Sequence, residues 1–76
     1  MLIGEMVEKV LSLADNGVFI SVLCDSKRDM VVFFVHAGKQ CVSFTCYMSD
    51  TFETMKDRYE VAEAEAIERR DADASM

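Results

Sequence analysis

The chain predicts a two-layer α+β fold in which a helix, a three-stranded antiparallel β-meander and a second helix follow one another (α-β-β-β-α). Three observations carry this expectation. Apolar residues recur at helical spacing near both ends, β-branched and aromatic runs lie between them, and the Gly38-Lys39 step closes two of those runs into a hairpin.

Residues 2 to 14 place Leu2, Ile3, Met6, Val7, Val10, Leu11 and Ala14 on one side, with Glu5, Glu8 and Lys9 on the other, as an amphipathic helix requires. Asp15-Asn16-Gly17 then supplies residues that tolerate a left-handed backbone, a common way for a helix to end. The run VFISVLC from 18 to 24 alternates as a first strand, with Val18, Ile20, Val22 and Cys24 on one face and Phe19, Ser21 and Leu23 on the other. The polar segment DSKRD follows, and MVVFFVHA from 30 to 37 is the second strand.

Glycine at the first central position is what a two-residue type II′ turn demands, so Gly38-Lys39 sets a register. It pairs Ala37 with Gln40, His36 with Cys41, and so on to Val31 with Cys46. The partners on each face must share a destination. Val31, Phe33, Val35, Val42, Phe44, Cys46 and Met48 form an apolar inner face; Val32, Phe34, His36, Cys41, Ser43, Thr45 and Tyr47 form a mixed outer one.

Ser49 and Asp50 are good N-caps, and Asp50 with Glu53 has capping-box spacing, so a second helix is expected from here. Phe52, Met55, Tyr59, Ala62 and Ala66 recur at steps of three and four, a narrow stripe suited to packing on a sheet. Glu65 and Arg69 lie one turn apart as a potential ion pair. Beyond Arg70 the periodicity fades, so residues 1–70 are expected to form a single domain and 71–76 a frayed tail.

Composition narrows the function classes. A chain of 76 residues has room for one core, which excludes a two-domain enzyme. An apolar content of 51% argues against disorder, and no apolar run approaches the roughly 20 residues of a membrane span or resembles a leader. A soluble, cytoplasmic protein is expected.

The odd cysteine count, with no C-x-x-C pair, points to reduced cysteines, of which Cys24 and Cys46 are assigned to the inner face as small hydrophobes. His36 and Cys41 become cross-strand neighbours, yet no third group orients the imidazole and no oxyanion donors are identifiable, so no catalytic residue is assigned. Two ligands also fall short of a zinc site. The expectation is a protein that is not an enzyme and uses no metal or cofactor.

Charge is concentrated at one end. From Asp50 onward there are nine acidic and four basic residues, so nearly all of the net −6 sits on the second helix. Glu53, Asp57, Glu60 and Glu68 fall opposite the apolar stripe and trace a line of roughly 20 Å at about 1.5 Å rise per residue. They lie one turn apart except where Ala64 intervenes, and the roughly 6 Å between neighbours is comparable with the spacing of phosphates along a nucleic-acid strand. Such a stripe is either a solvated face that keeps the protein soluble or an imitation of a phosphate backbone that enters a Lys/Arg-lined groove. Direct nucleic-acid binding is opposed by the same negative charge. If both helices cover the inner face, Phe19, Leu23, Val32, Phe34 and Tyr47 are left facing outward, an apolar patch of the kind that marks an interface.

A small acidic domain with a helix-flanked meander and the stripe Glu53, Asp57, Glu60 and Glu68 resembles the inhibitors encoded by phages and mobile elements, anti-CRISPR proteins among them. The likeness covers the general plan of the chain and rests on no shared motif. It implies a non-enzymatic inhibitor, present in the host cytoplasm, that contacts a host protein or complex with a basic groove. The partner-binding residues expected are Glu53, Asp57, Glu60 and Glu68 for charge complementarity, with Phe34 and Tyr47 as apolar anchors. The alternative is an assembly module that homodimerises through its outer sheet face.

Overall fold

The computed structural model describes residues 2–14 and 17–74. Helix α1 spans Ile3–Leu11, strands β1, β2 and β3 span Val18–Asp25, Met30–Ala37 and Gln40–Tyr47, and helix α2 spans Phe52–Ala74. The three strands form one antiparallel sheet in the order β1-β2-β3. This is the expected α+β arrangement.

The hairpin register is the one that a two-residue turn imposes: Ala37 faces Gln40, Phe33 faces Phe44 and Val31 faces Cys46. Gly38 adopts φ +59° at the turn, the left-handed conformation that disfavours side chains with a Cβ. The β1–β2 connection is longer. There the Asp25 carboxylate accepts the Arg28 amide at 3.3 Å, and Asp29 takes φ 52°.

Both helices cover the same side of the sheet. Met6 and Val10 of α1 meet Val31, Phe33, Val35, Ala37 and Cys46 of the sheet and Met55, Tyr59, Ala62 and Ala66 of α2 in one buried cluster. Helix α1 lies against β1 and β2, and α2 against β2 and β3. Phe33 stacks on Phe44 with centroids 5.2 Å apart, and the Tyr59 ring meets Phe44 edge-on at 6.3 Å. These pairs place α2 directly under the β2–β3 hairpin.

Several local expectations are corrected. Helix α1 ends at Leu11 and not at residue 14, because the Leu13 and Ala14 amides reach back three residues to Val10 and Leu11 carbonyls, tightening the chain into a turn. Asp15 and Asn16, expected to help end this helix, lie outside the described residues; Gly17, beside them, has φ +85°.

Helix α2 is capped by neither Ser49 nor Asp50. Thr51 fills that role, its hydroxyl accepting the Thr54 amide at 3.2 Å. At its other end α2 continues to Ala74, past the expected limit at Arg70, since alternating Asp and Ala contain no helix breaker. Ser75 and Met76 lie outside the described residues.

Cys24, expected to be buried on the inner face, is exposed. Its partner Val31 is fully buried, so the register is not at fault. A nine-residue helix is about 13 Å long and an eight-residue strand about 26 Å, so α1 cannot cover the full length of β1. Cys24 falls at the uncovered end.

Candidate functional site

Helix α2 turns Met55, Tyr59, Ala62 and Ala66 into the core, which fixes the direction of every other side chain on it. Glu53, Asp57, Glu60 and Glu68 all emerge exposed on the opposite side. None of the four lies within ion-pair distance of a cation among the described residues. Three other carboxylates of the helix are engaged: Glu65 accepts Arg69 at 2.5 Å, as its spacing suggested, and Glu63 accepts the Tyr59 hydroxyl. Asp71 meets Arg70 at 3.3 Å.

Asp50 belongs to a separate structure. Its carboxylate accepts the Tyr47 amide at 2.7 Å and the Arg58 guanidinium at 2.5 Å, and the same Arg58 nitrogen donates to the Thr45 carbonyl at 3.0 Å. The Tyr47 amide, followed by Arg58, holds the Asp50 carboxyl below its ordinary range, while Asp50 raises Arg58 further. Burial pushes the adjacent Cys46 thiol up, partly offset by Arg58. This latch ties the end of β3 to the second turn of α2.

No helix, second sheet or loop among the described residues covers the outer sheet face. Phe19 is 62% exposed, Leu23 58% and Tyr47 45%, while Phe34 is half-buried between neighbours. His36 stacks on Phe19 with ring centroids 4.5 Å apart and an 11° tilt, and its Nε2 shares a 2.9 Å hydrogen bond with Ser21 Oγ. The imidazole is therefore occupied toward β1, although Cys41 is its cross-strand partner on β3. No group of three or more His, Cys, Asp or Glu side chains capable of holding a metal occurs among the described residues. No helix among them is long and apolar enough to cross a membrane.

The six partner-binding candidates do not form one surface. Glu53, Glu60 and Glu68 face away from the sheet on the α2 layer, with Asp57 at the β3 side of the same row, whereas Phe34 and Tyr47 face away from α2 on the sheet layer. Phe34 sits opposite Ser43, four residues from Tyr47 along β3, about 13 Å at the strand rise. A single flat partner face cannot touch both sets.

No family model, curated protein or solved structure matches this chain. Its function is therefore argued from its own surfaces.

One of those surfaces has little signal in the sequence. Between β3 and α2 lies an open groove of about 340 Å³ lined by Val42, Ser43, Phe44, Val61, Ala62 and the carboxylates of Asp57 and Glu65, with Arg58 at its side. Val61 is 68% exposed here. In the sequence it is an isolated apolar residue off the α2 stripe, and only the proximity of β3 gives it meaning.

Proposed function

We propose that this chain is a non-enzymatic binding protein that inhibits or modulates a nucleic-acid-binding host complex by presenting the acidic face of α2 to a cationic groove. The observation that carries this reading is the row Glu53, Asp57, Glu60 and Glu68: four exposed carboxylates on one helix face without cationic partners among the described residues. Internal ion pairs would have consumed the field of such a row. Unpaired, the carboxylates attract a Lys/Arg-lined surface and accelerate encounter with it. Binding to nucleic acid itself is disfavoured by the net charge of −6. Such a partner places the protein in the cytoplasm of the cell it acts on, as expected of an inhibitor encoded by a phage or mobile element.

The test compares two baits in host lysate, the native chain and the variant carrying Glu53→Lys, Asp57→Lys and Glu60→Lys. The expected partner is retained by the native bait at low salt, released by duplex DNA, and absent from the variant. A partner that binds both baits equally overturns the electrostatic mechanism.

A second reading, homodimerisation through the outer sheet face, is favoured by the exposure of Phe19, Leu23 and Tyr47. Sedimentation separates the two. A dimer that Leu23→Lys converts into a folded monomer assigns that face to self-assembly; a native monomer removes this reading.

A further inference from the structure

The groove beside β3 has the form of a vacant strand position. In the order β1-β2-β3 the third strand is an edge, and the two-residue turn makes Ala37 and Gln40 a hydrogen-bonded pair. Alternation then turns the backbone groups of Gln40, Val42, Phe44 and Cys46 toward β2 and those of Cys41, Ser43, Thr45 and Tyr47 away from it. Two contacts agree with this assignment: the Thr45 carbonyl accepts Arg58, and the Tyr47 amide donates to Asp50. The latch thus closes one end of the free edge. Cys41 and Ser43, further along, have no backbone hydrogen bond to a neighbouring element on that side among the described residues.

Helix α2 provides the floor for a segment lying along this edge. Asp57, Val61 and Glu65 follow at four-residue intervals beside it, steps of about 6 Å along the helix axis. Same-face residues of an extended strand recur every two positions, at about 6.6 Å. The two repeats match. Val61 is then met by an apolar side chain, and Asp57 and Glu65 by cationic ones two residues to either side.

We infer that the β3 edge and the α2 groove form a β-strand-addition site for an extended partner segment of the pattern Lys/Arg-x-apolar-x-Lys/Arg. This inference rests on the cationic partner proposed above and specifies how part of it docks. Main-chain bonds to Cys41 and Ser43 hold the segment, and the side-chain pattern over Asp57, Val61 and Glu65 selects it. The Glu65–Arg69 pair on the solvent side is half-exposed at 45% and 51%, and such a pair yields readily to an incoming cation. A second copy of the chain fits less well. Packed two-fold about Val61, it sets Asp57 of one copy against Glu65 of the other, with each copy already at −6.

The experiment uses the full chain, isotope-labelled for amide NMR at 150 mM salt, and the blocked heptapeptide Thr-Lys-Thr-Val-Thr-Lys-Thr as probe. Saturating peptide is expected to slow amide exchange at Cys41 and Ser43 at least tenfold and to shift resonances of residues 41–45 and 57–65. Val61→Lys, a change at an exposed position, weakens binding at least tenfold, as does replacing the peptide's central valine with threonine. The variant carrying Glu53→Lys, Glu60→Lys and Glu68→Lys, which leaves the groove lining intact, weakens peptide binding less than Val61→Lys does, because screening limits its reach, and at saturating peptide it retains the slowed exchange at Cys41 and Ser43. That variant tests the acidic stripe and Val61→Lys tests the groove, so the two failures are distinguishable. No binding, or shifts confined to the acids without protection at Cys41 and Ser43, overturns strand addition. A native dimer that Val61→Lys makes monomeric overturns it too, by assigning the groove to a second copy.

Discussion

Arg58 Nη1 lies 2.5 Å from Asp50 Oδ2 and 3.0 Å from the Thr45 carbonyl oxygen, so one guanidinium joins the loop, the edge strand and the second helix. Asp50 contributes a second bond by accepting the Tyr47 amide at 2.7 Å. Replacing the carboxylate leaves both donors to seek water at a partly buried site. Hydrogen bonds involving charged groups contribute roughly 1.5–3 kcal/mol each before relaxation, so Asp50→Ala is expected to cost about 2 kcal/mol. Urea denaturation measures this, with the midpoint lowered at constant slope.

The same contacts set the acid response. Because Asp50 titrates below its ordinary value when folded, its contribution is complete at neutral pH and is lost as pH falls below the ordinary carboxylate range, near 4, through the folded value. Native stability should therefore fall more steeply below about pH 4 than that of Asp50→Asn, which lacks this titration. Equal acid slopes for the two proteins would contradict this.

Arg70 and Gly38 make the second interlock. A Cβ placed on Gly38 would come 3.0 Å from Arg70 Cγ and 3.3 Å from Cδ, and φ +59° is unfavourable for any residue with a side chain. Gly38→Ala is therefore expected to destabilise by about 1 to 2 kcal/mol through backbone strain, with Arg70 shifting to make room. Gly38→Asn should cost less, since asparagine tolerates the left-handed region. Thermal denaturation of the two variants checks the order.

Local chemistry made much of this fold legible. Gly38 fixes a turn and thereby the pairing of seven residue pairs, and the period of Met55, Tyr59, Ala62 and Ala66 marks the buried side of α2. The misjudged details depend on distances between elements. Cys24 has the correct face but lies beyond the reach of α1, and Asp50 has good capping chemistry but is drawn to Arg58, leaving the cap to Thr51. The acidic row on α2 was visible as helical spacing. That it faces away from Phe34 and Tyr47, and that Val61 lines a groove with β3, follows only from how the layers stack.

The three cysteines should separate by reactivity. Cys24 and Cys41 are exposed, whereas Cys46 is fully buried and its thiol is pushed up by burial. Mild alkylation at neutral pH followed by mass spectrometry is expected to modify the first two at the rate of a free thiol and Cys46 at least a hundredfold more slowly. In denaturant all three should react alike. Rapid labelling of Cys46 in the native protein would mean that the β3–α2 contact opens readily.

The acidic face of α2 separates stability from binding in a measurable way. Asp57 lies one turn from both Glu53 and Glu60, and like charges at these intervals destabilise a helix by about 0.2–0.5 kcal/mol per pair. Asp57→Lys converts both repulsions into attractions, a change of twice the pair energy at each, and should stabilise the free protein by about 1 to 2 kcal/mol, a rise of roughly 5 to 10 °C in Tm. Salt should raise the native Tm more than that of the variant, since it screens the repulsion only where it exists. The same substitution should weaken capture of a cationic partner. A helix whose charges served only folding would show the reverse, losing stability on Asp57→Lys, and calorimetry at two salt concentrations distinguishes the cases.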